Sequence, residues 1–290
     1  MSEKLQNYLD LIRIKRPIGY MLLFWPCLWG LTLGYNFNNG LKLFIFYTTL
    51  FFLGSLLMRS AGCVINDIVD KEFDKKVQRT KNRPIASGKI SVLEGIILSG
   101  MLCLIALGVL VQFNKLTVLL AIASMPLAFS YPYMKRFTYW PQLYLGITFN
   151  YGLLLGWTSI ENNITILPLV LYFGAIFWTL GYDTIYGFQD INDDEIIGVK
   201  STSIKFKESP KKFLTMCYLI TFFTILYLGY QMNFGLYFYL FSILIFIHLF
   251  VYQIFFLDIK NSKKCLKLFR SNNYLGLLVF INLLVGKFIS

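Results

Sequence analysis

Most of the 15 carboxylates in this 290-residue chain fall in two short stretches. The first, Asn66-Asp67-Ile68-Val69-Asp70-Lys71-Glu72-Phe73-Asp74, closes an apolar run over 42–65. The second holds Asp183, Asp190, Asp193, Asp194 and Glu195, at the end of an apolar run that starts near 164. Asp67, Asp70 and Asp74 are spaced three and four apart, and Asn66 lies four before Asp70, so on a helix all four share one face. Asp183 and Asp190 are two turns apart, Asp194 is one turn further, and Asp193 is three from Asp190. Like charges at such spacing repel unless a cation lies between them. Magnesium takes oxygen ligands, keeps several waters and is commonly completed by substrate phosphates. Two acidic faces opposed across a cavity would therefore clamp a diphosphate through Mg²⁺. The plain alternative is a pair of solvated helix ends matched by nearby Lys and Arg. A calcium loop is excluded, because its turn Gly and terminal Glu are missing at the required offsets.

Basic residues follow each cluster, and Arg79, Arg83 and Lys200 are candidates for direct contact with phosphate oxygens. Each could equally be a membrane-retention charge. The five cysteines form no CxxC pair and imply neither a metal site nor a disulfide framework. The single histidine, His248, falls mid-span, which argues against His base chemistry. Neither a Ser–His–Asp set nor a Gly-rich phosphate loop is present.

The elements that must position these residues are membrane helices. The chain is 57% hydrophobic, 18% aromatic and only 14% charged, which fits an all-α integral membrane protein with one domain over 1–290. Nine stretches approach the roughly 20 residues that a bilayer requires: 17–36, 42–62, 91–112, 115–133, 140–159, 164–184, 212–231, 234–256 and 271–289. The net charge of +12 sits on short connectors, which suits orientation rather than nucleic-acid binding. Of the 27 Lys and Arg residues, all but Lys42, Lys115 and Lys287 fall on one set of alternating connectors. The positive-inside rule then places the amino terminus and both acidic clusters in the cytoplasm and the carboxyl terminus outside. The polar start, with neither a signal-peptide nor a transit-peptide pattern, leads us to expect a bacterial inner (plasma) membrane.

The run Asn66-Asp-x-x-Asp-x-x-x-Asp74, followed by Arg79-Thr-Lys-Asn-Arg-Pro-Ile-Ala-Ser-Gly88, resembles the signature of the intramembrane aromatic prenyltransferases. Three more stretches resemble the 4-hydroxybenzoate polyprenyltransferase branch: Arg16-Pro-Ile-Gly-Tyr-Met-Leu-Leu-Phe-Trp-Pro26, Tyr131-Pro-Tyr-Met-Lys-Arg-Phe-Thr-Tyr-Trp-Pro-Gln142, and Tyr182 to Asp194 running into Gly198-Val-Lys-Ser-Thr202. The likeness is dense through the first six spans and faint after residue 210. It implies a nine-helix bundle with a lateral opening to lipid. It also implies Mg²⁺-dependent transfer of a polyprenyl group from its diphosphate to 4-hydroxybenzoate. By the same resemblance Asn66, Asp70 and Asp74 would hold one side of the metal–diphosphate site and Asp190 and Asp194 the other, with Asp67, Asp183 and Asp193 in support. Arg136 would take the benzoate carboxylate, with Lys135, Arg16 and Tyr131 around the acceptor. Asn192 departs from the Asp common in relatives, and Gly187 from a small Ala.

Metal neutralisation makes a diphosphate a good leaving group, and Tyr131, Tyr133 or Tyr186 could face the resulting allylic cation. Two other functions stay open: a sister prenyltransferase acting on homogentisate, a dihydroxynaphthoate or haem, and a divalent-cation transporter. The second is disfavoured, since transporters place polar groups near the midplane and these acids cluster at one surface. The length of the prenyl chain is not encoded in any motif. The charge bias carries a test of topology: cysteines introduced near 76 and 205 should resist a membrane-impermeant thiol reagent added outside, and one in the 36–41 turn should react. Outside labelling at 76 or 205 would reverse the orientation.

Overall fold

The computed structural model describes residues 2–289, and among these every regular element is helical. A short polar helix, α1 (Glu3–Leu11), is capped by Ser2, whose hydroxyl accepts from Leu5 N. The long helices follow: α2 (Ile18–Gly34), α3 (Lys42–Val69), α4 (Val92–Leu110), α5 (Lys115–Ser130), α6 (Pro141–Glu161) and α7 (Ile166–Gly187). After the short α8 (Ile191–Ile197) come α9 (Pro210–Gln231), α10 (Leu236–Phe246) continued by a π-helical stretch over Ile247–Phe255, and α11 (Ser262–Phe288). Their ends follow ordinary capping chemistry. Ser91 and Glu94 form a capping box at α4, Asn114 caps α5, and Pro141 and Pro210 open α6 and α9.

Seven of these helices are long and apolar enough to cross a bilayer: α3, α4, α5 with its extension to Phe137, α7, α9, α10 with its extension, and α11. The chain is thus a multi-pass helical membrane protein. Two of the nine expected spans, α2 and α6, fall short by this measure. At 17 residues, α2 rises about 25 Å against roughly 30 Å of hydrocarbon. The shortfall has a physical cause: both helices are wrapped by protein. From Phe24 to Gly34 every residue of α2 is buried. In α6 the buried Asn150 donates to Gly146 O and to Thr179 Oγ1 at 2.8 and 2.7 Å. Hydropathy measures suitability for lipid, and a central helix meets little of it. The reverse holds for α4, which exposes Leu93, Ile96, Ile97, Met101, Leu104 and Ile105.

The centre is held by close backbone approach. A Cβ on Gly30 would lie 1.9 Å from Leu153 O, and one on Gly156 2.1 Å from Cys27 O. Small residues at a crossing let helices touch where no hydrophobic effect drives them together. Three tryptophans then tie the bundle to α11: Trp25 Nε1 donates to Asn273 Oδ1, Trp29 Nε1 to Gly276 O and Trp178 Nε1 to Asn272 Oδ1, at 2.8–2.9 Å. A separate small core of Leu11, Val64, Ile85 and Ile90 seats α1 and the 75–90 segment on α3.

Two boundaries differ from expectation. α3 runs to Val69, past the expected 62, because the polar turns that follow face an internal cavity and need not leave the bundle. α11 starts at Ser262, nine residues early, its basic first turns extending the apolar part with Asn261 as cap.

The glycines predict opposite responses. Gly156→Val or Gly30→Val should lower the melting temperature in detergent sharply, a loss at or above the roughly 1–3 kcal/mol of overpacking. Gly100 has nothing within 4 Å of a built Cβ, so Gly100→Ala should be neutral or gain up to about 1 kcal/mol. Equal melting of all three variants would refute the crossing as the bundle's anchor.

Candidate active site

Both acidic motifs sit where a long helix ends and the backbone resumes helical turns. α3 closes at Asp70, whose N donates to Asn66 O at 2.9 Å, and Asp74 N donates to Asp70 O at 2.8 Å. The spacing of Asn66, Asp70 and Asp74 therefore survives the helix end. On the other side α7 ends at Gly187, Asp190 stands at the head of α8, and Asp194 N donates to Asp190 O at 2.9 Å. Gly198, at φ +79°, terminates α8, and Lys200 N then donates to Lys135 O at 2.9 Å. That last bond ties the second half to the segment after α5, whose Lys135 reaches Asp70 of the first.

Between them lies a cavity of about 290 Å³ lined by Asn66, Asp70 and Asp74 from one motif and Asp183, Asp190 and Asp194 from the other. Arg16, Arg79, Arg83, Lys135, Lys200 and Tyr131 complete the expected set on its wall. Asp67, Asp193 and Arg136 do not line it. Asp67 stands behind the wall, 1% exposed, and accepts from both Arg13 and Arg83. Arg136 Nη2 donates to Val69 O at 2.9 Å, and its guanidinium lies over Phe73 and Tyr133. Of the three tyrosines considered for a cation, Tyr131 and Tyr186 line the cavity, while Tyr133 is 41% exposed. His248 lies outside it.

Acids and bases neutralise one another across the cavity. Arg83 Nη1 donates to Asp74 at 2.7 Å and to Asp67 at 3.1 Å. Lys135 Nζ donates to Asp70 Oδ2 at 2.6 Å. Arg79 makes a two-pronged contact with Asp190 and donates to the Tyr186 hydroxyl at 2.9 Å. Arginines and lysines thus stand beside the like-charged acids. Among the described residues, no three of Asp, Glu, His and Cys converge as a ready metal cage. The donors nevertheless suit a magnesium ion held by one or two carboxylates and otherwise by water and phosphate. Asp70 Oδ1 is buried and accepts no hydrogen bond, with Arg136 standing off at 3.8 Å. Burial, reinforced by Asp190, raises the Asp194 carboxyl to about 6. Burial also raises Asp70, against the pull of Lys135.

Two arginines escaped the sequence analysis as site residues. Arg13 holds a left-handed backbone, φ +55°, a strained conformation for a non-glycine residue, and reaches Asp67. Arg59 lies ten residues inside the end of α3, lines the cavity and makes no ion pair among the described residues. Its signal was present, two helical turns before Asn66 on the same face. Although the expected span ran over 42–62, Arg59 was counted with the connector charges.

A second, apolar cavity of about 280 Å³ lies between α3, α4, α5 and α6. It shares Arg59, Asn66, Tyr131, Pro132, Leu145 and Phe149 with the polar one, so the two chambers meet at a common wall.

The chain matches the UbiA prenyltransferase family over residues 23–284, and it belongs to that family. It is 41% identical to the mitochondrial 4-hydroxybenzoate polyprenyltransferase of Rattus norvegicus, covering 98% of this chain and 75% of the relative. It is 39% identical to 4-hydroxybenzoate geranyltransferase 2 of Lithospermum erythrorhizon, covering 99% and 92%. In fold it is similar to a UbiA homolog from Aeropyrum pernix K1, with TM-score 0.75 at 20% identity over 92% of this chain and 98% of that one. It is likewise similar to one from Archaeoglobus fulgidus bound to GPP and Mg²⁺, with TM-score 0.72 at 18% identity over 97% and 98%.

The raised Asp194 carboxyl sets a pH test. The unfolded group ionises near 3.8 and the folded one near 6, so the folded state loses stability as pH rises through that window and does not recover it above. Asn at 194 cannot ionise. In EDTA, the melting temperature of Asp194→Asn relative to wild type should therefore rise between about pH 4.5 and pH 7.5. A difference independent of pH would show that Asp194 carries no such strain.

Proposed function

We propose that this chain transfers a polyprenyl group from a polyprenyl diphosphate to the ring carbon beside the hydroxyl of 4-hydroxybenzoate, releasing diphosphate, as an early step of ubiquinone biosynthesis. The supporting observation is the junction of two chambers. One is polar and lined by opposed acidic motifs, the other is apolar, and they meet at Asn66, Arg59 and Tyr131. A molecule with a charged head and a hydrocarbon tail suits such a junction. Relatives about 40% identical over nearly the whole chain carry the name of this enzyme, which supports the acceptor over homogentisate, a dihydroxynaphthoate or haem.

In this reading the whole chain works as one membrane domain. All nine long helices cross the bilayer, α2 and α6 inside a sheath of the other seven. The amino terminus and the polar chamber face the cytoplasm, and the membrane is a bacterial inner membrane. Relatives named as mitochondrial make an organelle the second placement.

Asn66, Asp70, Asp74, Asp190 and Asp194 would hold Mg²⁺, with Asp183 beside them and Asp67 and Asp193 in support. The ion's chemistry there is charge neutralisation of the leaving diphosphate. Arg79, Arg83 and Lys135 exchange their carboxylate partners for phosphate oxygens, and Lys200, which donates to Phe137 O, joins them. The allylic C–O bond breaks with its electron pair on the diphosphate. Tyr131 and Tyr186 turn their rings to the carbocation. The acceptor's ring carbon forms the new C–C bond, and the ring proton passes to a carboxylate or to the departing diphosphate.

The resemblance gives the acceptor carboxylate to Arg136. The geometry favours Arg59, a guanidinium on the common wall with no ion pair among the described residues, with Arg136 fixing the end of α3 through Val69 O. Membranes holding the protein should prenylate 4-hydroxybenzoate, should stop in EDTA, and should be nearly inactive with Asp190→Asn. Arg59→Ala should raise KM for 4-hydroxybenzoate by roughly one to two decades, the worth of a charge-assisted bond, with a much smaller change for the prenyl donor. The same split in Arg136→Ala alone would return the carboxylate to Arg136. Preference for another acceptor would sink the proposed substrate.

A further inference from the structure

Beyond Ser201 one residue among those described lines the polar cavity, Phe269 of α11. It completes an aromatic column that leads out from the bundle centre. Ring centroids step from Trp29 to Trp178 over 5.0 Å, to Tyr182 over 5.1 Å, to Phe269 over 5.8 Å and to Tyr186 over 4.5 Å. Tyr182 and Tyr186 are one turn apart on α7, and Phe269 touches both. The turn of α11 that carries it is held from both sides. Gln253 of the π-helical stretch donates to Leu268 O and to Ser271 Oγ, both at 2.8 Å, and Asn272 accepts from Trp178. On its cavity side Phe269 stands in polar company. The Tyr186 hydroxyl accepts from Arg79, which also holds Asp190. The Arg79 guanidinium lies 5.5 Å from the Tyr186 ring centre, so a cation already rests against that ring. Beside it Phe269 sets an apolar face. A water molecule settles in a cavity where it finds two to four polar partners, and a phenylalanine ring offers none.

We propose that Phe269 decides which nucleophile takes the allylic cation, its apolar face keeping water off the Tyr186 corner so that the acceptor is prenylated and the donor is not hydrolysed. The inference rests on the prenyl-transfer reading above. Two courses compete once the C–O bond of the donor has broken. In one, the acceptor's ring carbon supplies the electron pair of a new C–C bond, and the proton on that carbon leaves. In the other, a water oxygen supplies the pair of a new C–O bond, one of its protons passes to the diphosphate, and the donor ends as an allylic alcohol. Each course uses one donor and releases one diphosphate, so the organic products alone tell them apart. Exclusion of water from a reactive intermediate guards the first course against the second.

The test reads the partition between products, which a general loss of stability does not move. Purified wild type, Phe269→Ala, Phe269→Leu and Phe269→Tyr are given geranyl diphosphate, Mg²⁺ and 4-hydroxybenzoate in lipid vesicles made up in ¹⁸O-water. Alcohol formed by capture of the cation carries ¹⁸O on carbon, whereas alcohol left by phosphatase cleavage of a P–O bond keeps the donor's own oxygen. Phe269→Ala should raise the ratio of labelled alcohol to prenylated benzoate about tenfold, with a much smaller fall in total donor consumption. Phe269→Tyr, whose added hydroxyl gives water a partner, should raise the ratio less. Phe269→Leu, which stays apolar, should hold it within about twofold of wild type. If Phe269→Ala does not fold, the contrast between the Leu and Tyr variants decides. An unchanged ratio in the Ala and Tyr variants would overturn the shield, as would product and donor consumption falling in parallel without labelled alcohol. An equal rise in the Leu and Ala variants would also overturn it, since the ring's π-face and not its dryness would then be what matters. No donor consumption by wild type would instead overturn the prenyl transfer beneath it.

Discussion

Everything in this structure answers to one constraint, the cost of gathering carboxylates at the end of an apolar bundle. A carboxylate moved from water into low dielectric must find a partner or give up its charge. Here Asp67, Asp70, Asp74 and Asp190 each find an arginine or lysine, and the partners arrive from distant parts of the chain: Arg13, Arg79, Arg83 and Lys135. Asp194 makes no ion pair among the described residues, and burial holds its carboxyl near 6. The ion pairs are cross-links as well as charge balance. Arg79 joins the segment after α3 to the head of α8, and Lys135 joins α5 to α3. Removing either partner would strand a buried charge, which costs far more than an exposed pair is worth.

The bundle supplies the rigidity that makes such a site possible. Its two central helices touch backbone to backbone at Gly30 and Gly156, and the tryptophans of α2 and α7 hydrogen-bond to α11. Polar side chains in the interior spend their hydrogen bonds locally, as Asn150 does with Gly146 O and Thr179. The lipid-facing α4 does the opposite, burying little and presenting leucine and isoleucine outward. A division into sheath and core lets the core carry groups that lipid would reject.

Much of this was legible in the chain. Hydropathy alone located every long helix, and the spacing of Asn66, Asp70 and Asp74 marked one wall of the cavity, with Asp190 and Asp194 on the other. What sequence could not supply was the direction of side chains near a helix end. Asp67 and Asp193 belong to the same motifs as their neighbours yet point away from the cavity, because a period of three and four cannot distinguish one side of a broad face from the other. Arg59 was passed over among the connector charges: an arginine after a run of leucines reads as the start of a loop, when it is a helical residue that lines the polar cavity. Arg13 was invisible for another reason. Its place depends on a left-handed backbone in a segment with no glycine to announce the turn. The shortfall of α2 and α6 in hydropathy reflects burial, which a one-dimensional scale cannot see.

The shared wall at Arg59, Asn66 and Tyr131 has a consequence for how concentration should be understood. A polar chamber that adjoins an apolar one inside the bundle suits a lipid-soluble molecule that presents its head without its tail entering water. Such a molecule is diluted in bilayer area, not in buffer volume. Its Michaelis constant is then a mole fraction in lipid. Adding empty vesicles that fuse with the membrane lowers the rate, and adding more buffer at fixed membrane does not. The water-soluble partner obeys ordinary molar kinetics. One cavity thus joins two reactants that are counted in different dimensions.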